Sequence, residues 1–168
     1  TENKCKSCGK GQYAASPAAS SCESCAPGRY QDAEEATEYS CKMCGKGTYA
    51  KSKDTSECSS CDPGRYQGAN EATENKCKSC GKGQYAASPA TSSCESCAPG
   101  HYQDAEEATE NKRKSCGKGQ YATSPAASSC TPCEAGRYQD VEKAAEYTCK
   151  SCDVGEFLGG VNGSCEEN

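Results

Sequence analysis

The sequence predicts a small disulfide-rich repeat protein: an elongated rod of short two-stranded β ribbons and turns, with little helix and no conventional hydrophobic core. Three observations predict it. Eighteen of the 168 residues are cysteine. Leu, Ile, Val and Phe together supply five residues, too few to offset chain entropy by burial alone. The chain also repeats itself, because cuts at Thr1, Thr37, Thr73, Thr109 and Ala145 give blocks in register at a period of 36.

Cysteine at this density belongs to folds held by cross-links, which persist in oxidising compartments, so the expected location is extracellular, secreted or at the cell surface. No run approaches the roughly 18 apolar residues of a membrane span. The start, TENKC, has no basic and apolar leader and reads as that of a mature chain or a fragment. A net charge of −5, with lysines and acids interspersed, offers no basic stripe for phosphates, which excludes nucleic acid as a partner.

The elements follow in order. Residues 1–36, 37–72, 73–108 and 109–144 are four repeats, and 145–168 is a truncated C-terminal repeat or cap. Blocks 1–36 and 73–108 differ only at Ala19 versus Thr91 and Arg29 versus His101. Each block holds two half-repeats, of 17 and 19 residues, on the frame C-x2-C-x2-G-x-Y: Cys5, Cys8, Gly11, Tyr13, then Cys22, Cys25, Gly28, Tyr30. The frame continues through Tyr49, Tyr66, Tyr85, Tyr102, Tyr121 and Tyr138 to Phe157.

The glycine supplies a tight turn with positive φ, and the aromatic two residues on is expected to fold over the sulfurs in place of a core. Units of this kind contact only their neighbours, hence the expected rod. The stretches DAEEATE (32–38 and 104–110) and DVEKAAE (140–146) have the composition of a helical turn, but seven residues are marginal for a helix.

The tandem frame C-x2-C-x2-G-x-Y resembles the ephrin-receptor-like cysteine-rich repeats and the first loop of tumour-necrosis-factor-receptor modules. That resemblance implies a disulfide from each cysteine opening C-x2-G-x-Y to the next cysteine. Carried over, the implied pairs are Cys8 with Cys22, Cys25 with Cys41, Cys44 with Cys58, Cys61 with Cys77, Cys80 with Cys94, Cys116 with Cys130, Cys133 with Cys149 and Cys152 with Cys165. A rival scheme joins Cys5 to Cys22 and Cys8 to Cys25, and strands Cys130 and Cys152. The sequential scheme lets the last cysteine, Cys165, close the last loop.

Other chemistry is weaker. Paired C-x2-C motifs also suit four-cysteine zinc sites, but the tandem phase leaves no natural grouping into fours. Thioredoxin-like chemistry needs an α/β scaffold that this pattern lacks. His101 stands alone, so no triad can be built. Asp104, Glu106 and Glu107 lack the spacing of a calcium loop. The expectation is therefore a protein without catalytic or metal-binding residues and without a cofactor, not an enzyme.

Asn162 lies in a full N-glycosylation sequon. The small-residue stretches at 14–21, 86–93 and 122–129 suit O-glycans at Ser16, Ser20, Ser21, Ser88, Thr91 and Ser124, or are plain loops closing each ring. Phe157, Leu158 and Val161 concentrate the scarce apolar residues in the tail, as a cap or as an assembly joint with the next subunit.

Arg113 stands where a cysteine is expected, and sequential pairing then leaves Cys97 and Cys5 unmatched. Either both are free or they join neighbouring chains, Cys97 of one to Cys5 of the next. The functional expectation is a self-associating extracellular structural protein, belonging to a fibre, appendage or cell-surface coat and carrying covalent glycans. The alternative is the ligand-binding or stalk region of a cell-surface receptor.

Overall fold

The computed structural model of the chain describes residues 5–37, 40–73, 76–109, 113–159 and 164–167. Val161 and Asn162 lie outside them. The chain is a small disulfide-rich repeat protein, which among the described residues has nine two-stranded antiparallel ribbons stapled by eight disulfides and almost no helix. It divides into two compact units: Thr1–Lys78 with Ser88–Ser93, and Ser79–Ala87 with Cys94–Asn168.

In the first unit β1 (Gln12–Tyr13) pairs with β2 (Glu23–Ser24), β3 (Arg29–Tyr30) with β4 (Lys42–Met43), and β5 (Thr48–Tyr49) with β6 (Ser59–Ser60). Next, β7 (Arg65–Tyr66) pairs with β8 (Lys78–Ser79). In the second unit β9 (Gln84–Tyr85) pairs with β10 (Glu95–Ser96), β11 (His101–Tyr102) with β12 (Lys114–Ser115), and β13 (Gln120–Tyr121) with β14 (Thr131–Pro132). It ends with β15 (Arg137–Tyr138) on β16 (Lys150–Ser151), and β17 (Glu156–Gly159) on β18 (Ser164–Glu167).

Each ribbon begins at a glycine turn. At residues 26–29 the Arg29 N–H donates to the Ala26 carbonyl at 3.1 Å, with Pro27 and Gly28 at the corners and Gly28 at φ 87°. Pro then Gly is the residue chemistry of a type II turn, in which the second corner needs positive φ. The same i to i+3 bond recurs at Gln12, Thr48, Gln84, His101, Gln120, Arg137 and Glu156.

A two-stranded ribbon is marginal alone in water, and stacking supplies what a single ribbon lacks. In the first unit the Gly11 N–H bonds to the Gln31 carbonyl (2.8 Å) and Gly28 N–H to the Ala50 carbonyl (3.2 Å). In the second, Gly83 N–H reaches Gln103 (2.8 Å) and Gly100 N–H reaches Ala122 (2.8 Å). A clasp from further along the chain reinforces each stack. Glu35, Glu71, Ala90, Glu107, Ala126 and Lys143 adopt φ of 55–59° and donate their N–H to the carbonyls of Cys8, Cys44, Cys61, Cys80, Cys97 and Cys116.

This clasp overrides the helical composition of 32–38, 104–110 and 140–146: no described residue there is helical, because a left-handed residue interrupts each. It also explains the repeated glycine. A Cβ on Gly28 would lie 2.3 Å from the Glu71 carbonyl oxygen, and one on Gly100 would lie 2.2 Å from that of Lys143.

The interior differs from the expectation of a tyrosine core. Tyr85 alone among the described tyrosines is buried, and the interior consists of cystine sulfurs, alanines (Ala36, Ala50, Ala72, Ala86, Ala108, Ala122, Ala144) and the glutamines Gln31, Gln67, Gln103 and Gln139. Stacked backbones at hydrogen-bond distance leave room for a methyl group but not for a ring. Each glutamine folds back on its own loop, so that its side-chain carbonyl accepts from Ala33, Ala69, Ala105 or Val141 N–H. A buried side-chain carbonyl satisfied in this way pins the loop it belongs to, although the Gln31 amide nitrogen is buried without a partner.

Candidate functional site

Eight disulfides join Cys8 to Cys22, Cys25 to Cys41, Cys44 to Cys58, Cys61 to Cys77, Cys80 to Cys94, Cys116 to Cys130, Cys133 to Cys149 and Cys152 to Cys165. Each opener of a glycine turn is thus tied to the next cysteine, and the rival scheme is absent. Cys5 and Cys97 remain as thiols, Cys5 exposed and Cys97 buried.

Cys97 opens the glycine turn of Gly100, and its backbone is held on both sides: its N–H bonds to the Gly83 carbonyl at 2.9 Å and its carbonyl accepts from Ala126 at 3.0 Å. None of its surface is exposed, and it clusters with Tyr85 and Ala108. Arg113 does not leave a gap where the missing cysteine would be. Its guanidinium lies over the Tyr85 ring, 4.9 Å from the centroid, a cation–π contact roofing the thiol. Burial pushes the Cys97 thiol up from its ordinary range, and the nearby Arg113 charge only partly opposes this. A protonated, covered thiol is a poor nucleophile. Of the two readings of these cysteines, free thiols or a bond from Cys97 to a neighbour's Cys5, the second requires the covered Cys97 to become accessible.

The ribbon surfaces carry two recurring side-chain pairs. In the second half-repeats the tyrosine faces a lysine: Tyr30 opposite Lys42, Tyr102 opposite Lys114, Tyr138 opposite Lys150, with ammonium-to-ring distances of 5.8, 5.8 and 5.9 Å. Each lysine also meets an aspartate, Asp32 at 2.8 Å, Asp104 at 2.6 Å and Asp140 at 3.2 Å. The lysine's hydrogen bond holds each of these carboxyls below its ordinary range. In the first half-repeats of blocks 1–36 and 73–108 the facing residue is a glutamate, so that Tyr13 and Tyr85 donate their hydroxyls to Glu23 and Glu95 at 3.0 and 2.8 Å, whereas Tyr49 faces Ser59 and Tyr121 faces Thr131. Such cross-strand pairs are the unit of ribbon stability.

The acidic cluster at 104–107 is divided among separate partners: Asp104 takes Lys114, and Glu107 accepts from Ser79 at 2.5 Å. Cys152, Glu156 and Cys165 lie close together, but the two sulfurs are bonded to each other. His101 is half-buried at its turn.

Ser16, Ser20, Ser21, Ser88 and Ser124 are exposed. Thr91 is not equivalent to them, since it is half-buried and donates its hydroxyl to the Ser88 carbonyl at 2.6 Å. Phe157 is 49% exposed at the foot of the last ribbon, and Val154, in the turn before it, is fully exposed; Leu158 is half-buried opposite Cys165. No helix among the described residues is long and apolar enough to cross a membrane.

Two features escaped sequence reasoning. The buried glutamines were visible as the Tyr-Gln pair recurring at 30–31, 66–67, 102–103 and 138–139, but composition treats Gln as a surface residue. The Arg113 contact with Tyr85 joins positions 28 apart, and no local pattern signals it. No protein-family model matches the chain, and no curated protein matches it.

Proposed function

We propose that this chain is an extracellular structural protein whose disulfide-stapled tandem repeats belong to a fibre, an appendage or a cell-surface coat. The observation that carries this reading is the recurrence of one surface. The Tyr–Lys–Asp arrangement returns at 30/42/32, 102/114/104 and 138/150/140 with nearly constant geometry. A surface repeated in this way lets one contact recur along an assembly. Eight short-range disulfides support an oxidising, extracellular setting. The exposed serines of the ring-closing loops are the sites where glycans would sit. The titratable side chains described on the ribbons are engaged pairwise rather than converging on a pocket, which favours a non-catalytic role.

Negative-stain microscopy of the purified oxidised protein tests the reading. Fibres or sheets with an axial repeat are expected; single particles at every concentration would overturn it. A second reading, a receptor ectodomain of the ephrin-receptor-like or tumour-necrosis-factor-receptor-like kind, has one observation in its favour. Among the described residues five large apolar side chains are exposed, and four of them (Val141, Tyr147, Val154, Phe157) fall within 141–157. That reading expects saturable binding of a soluble protein ligand, lost on substituting those four.

A further inference from the structure

One position of the clasp changes sign along the chain. Glu35, Glu71, Glu107 and Lys143 occupy equivalent places, each left-handed with φ of 55–59° and each donating its N–H to the carbonyl of a turn-opening cysteine at 2.8–3.0 Å. Their side chains therefore leave the backbone from equivalent points.

In three of the four places the side chain is a carboxylate that meets a donor. Glu35 Oε1 accepts from the Ser7 hydroxyl at 2.6 Å, Glu107 Oε1 from the Ser79 hydroxyl at 2.5 Å, and Glu71 Oε1 from the Arg29 guanidinium at 2.5 Å. The donors stand at fixed offsets, 28 residues before the acid for the serines and 42 before it for the arginine.

At Lys143 both offsets hold donors and the acid is replaced. Ser115 stands at the first offset, and His101, in the place of Arg29, stands at the second. These two residues are cross-strand partners in the β11–β12 ribbon. Lys143 is docked on that ribbon. Its N–H bonds to the carbonyl of Cys116, next to Ser115, and its carbonyl oxygen lies 2.2 Å from where a Cβ on Gly100, next to His101, would stand. Arg29, Met43 and Glu71 stand in the same relation, Arg29 opposite Met43 and Glu71 on the Cys44 carbonyl, and there an ion pair balances the charge. Asp104, on the loop that follows β11, is held by Lys114 at 2.6 Å and does not supply the missing acid. Among the described residues neither the Lys143 ammonium nor the Ser115 hydroxyl has a hydrogen-bond or ion-pair partner. The His101 Nδ1 lies 3.4 Å from the Pro99 carbonyl, which leaves Nε2 for another group.

We propose that His101, Ser115 and Lys143 bind an oxyanion, the carboxylate or sulfate of a ligand outside this chain, where Glu35, Glu71 and Glu107 place the chain's own carboxylates. Lys143 supplies charge, Ser115 the hydroxyl that Ser7 and Ser79 give to their glutamates, and His101 a ring N–H. Hydrogen bonds to an ionised acceptor are stronger than those between neutral groups, so donors that have lost their acid select an anion. Lys143 and Ser115 are exposed and His101 is half-buried. An open site of this kind takes a free small acid or the same group carried on an acidic polysaccharide. It needs no fibre, and it stands or falls apart from the structural role proposed above.

The chain has a single histidine, so its imidazole resonances report on the site by themselves. The oxidised 168-residue protein is titrated with sodium galacturonate, sodium sulfate and polygalacturonate, against sodium chloride at matched ionic strength. A saturable displacement of the His101 resonances beyond the chloride effect is expected. Tighter binding of polygalacturonate than of galacturonate at equal carboxylate would assign the polymer as the source, and equal binding the free acid. Lys143→Glu restores the residue type of the other three clasps, so it should keep the circular dichroism and abolish the response, whereas Lys143→Arg should retain it. Ser115→Ala should weaken binding about tenfold, the worth of one hydrogen bond to a charged group. Lys53→Glu makes the same charge change at an exposed lysine of the first unit and should leave the response intact. A response no larger than that of chloride, one that survives Lys143→Glu, or one that Lys53→Glu removes, overturns the site.

Discussion

At residues 25–44 a disulfide, Cys25–Cys41, closes the ribbon; at residues 97–116 the position of the second cysteine is held by Arg113, and the ribbon keeps its form. Arg29 pairs with Met43 and Tyr30 with Lys42 in one, His101 with Ser115 and Tyr102 with Lys114 in the other. Cys44 N–H reaches the Gly28 carbonyl at 3.0 Å, and Cys116 N–H reaches that of Gly100 at 2.9 Å. The lysine–aspartate pair survives, at 2.8 and 2.6 Å. Turn and stack therefore set the shape of a junction, while the cross-link sets the free energy of leaving it, chiefly by restricting the unfolded chain.

Reduction should show the largest effect. Each of the eight cross-links closes a sequence separation of 13 to 16. Such a loop contributes about 3 kcal/mol in the chain-entropy description. Reduced protein is expected to lose its circular dichroism and its protease resistance together. A reduced sample that keeps both would mean that the stack alone sustains the fold, and the comparison would collapse.

Arg113→Cys converts the open junction into the closed one. A disulfide from Cys97 to the introduced thiol, confirmed by mass, should raise unfolding stability by about 3 kcal/mol, less roughly 0.5–1 kcal/mol for the lost contact with Tyr85. An unchanged urea midpoint would refute the division of labour drawn above.

Gly28→Ala attacks the shared turn and should harm either junction alike. The residue has φ 87° and a Cβ there would stand 2.3 Å from the Glu71 carbonyl oxygen. A loss of roughly 1–3 kcal/mol is expected, whereas Gly45→Ala, with nothing within 4 Å of its added methyl, should stay within about 0.5 kcal/mol. Equal urea midpoints for the two variants would show that the turn is not the shaping element.

Thiol chemistry sharpens the contrast between Cys97 and the exposed Cys5. Because burial raises the folded thiol above its ordinary value of 9.0, the folded state holds that proton more tightly than the unfolded chain. The associated stability is present below that value and is lost as pH rises through the folded one. Alkylation near neutrality should label Cys5 and spare Cys97 until the protein unfolds; equal labelling would remove Arg113 as a roof.

The smallest effect concerns Asp32, Asp104 and Asp140, whose carboxyls the facing lysines hold below the ordinary 3.8. Their contribution is present above that value and is lost as pH falls through the depressed one. Lys114→Met should therefore trim only the acid limb of the stability profile, by an amount that salt erases. A deficit at neutral pH in high salt would assign Lys114 a packing role instead.

The frame C-x2-G-x-Y determined by itself where each glycine turn and the strand leaving it fall, because such a corner is decided within a few residues. The cysteine count and the tandem phase likewise determined that cross-links would take the place of an apolar core. What fills the interior was decided by the tertiary structure. Tyrosine was the reasonable candidate for the space over the sulfurs, but backbones stacked at 2.8–3.2 Å admit Ala50 and the folded-back Gln31 and leave most rings at the surface. The stretch 32–38 has helical composition, yet Glu35 turns left-handed because its N–H is claimed by the Cys8 carbonyl 27 positions earlier. The fates of the two unmatched cysteines were decided in the same way. Cys97 opens a glycine turn and is buried as Cys8, Cys25, Cys44, Cys61, Cys80 and Cys116 are, whereas Cys5 is exposed. Local chemistry selects a turn among neighbours in the chain; close packing selects partners twenty to forty residues apart, which no window of sequence contains.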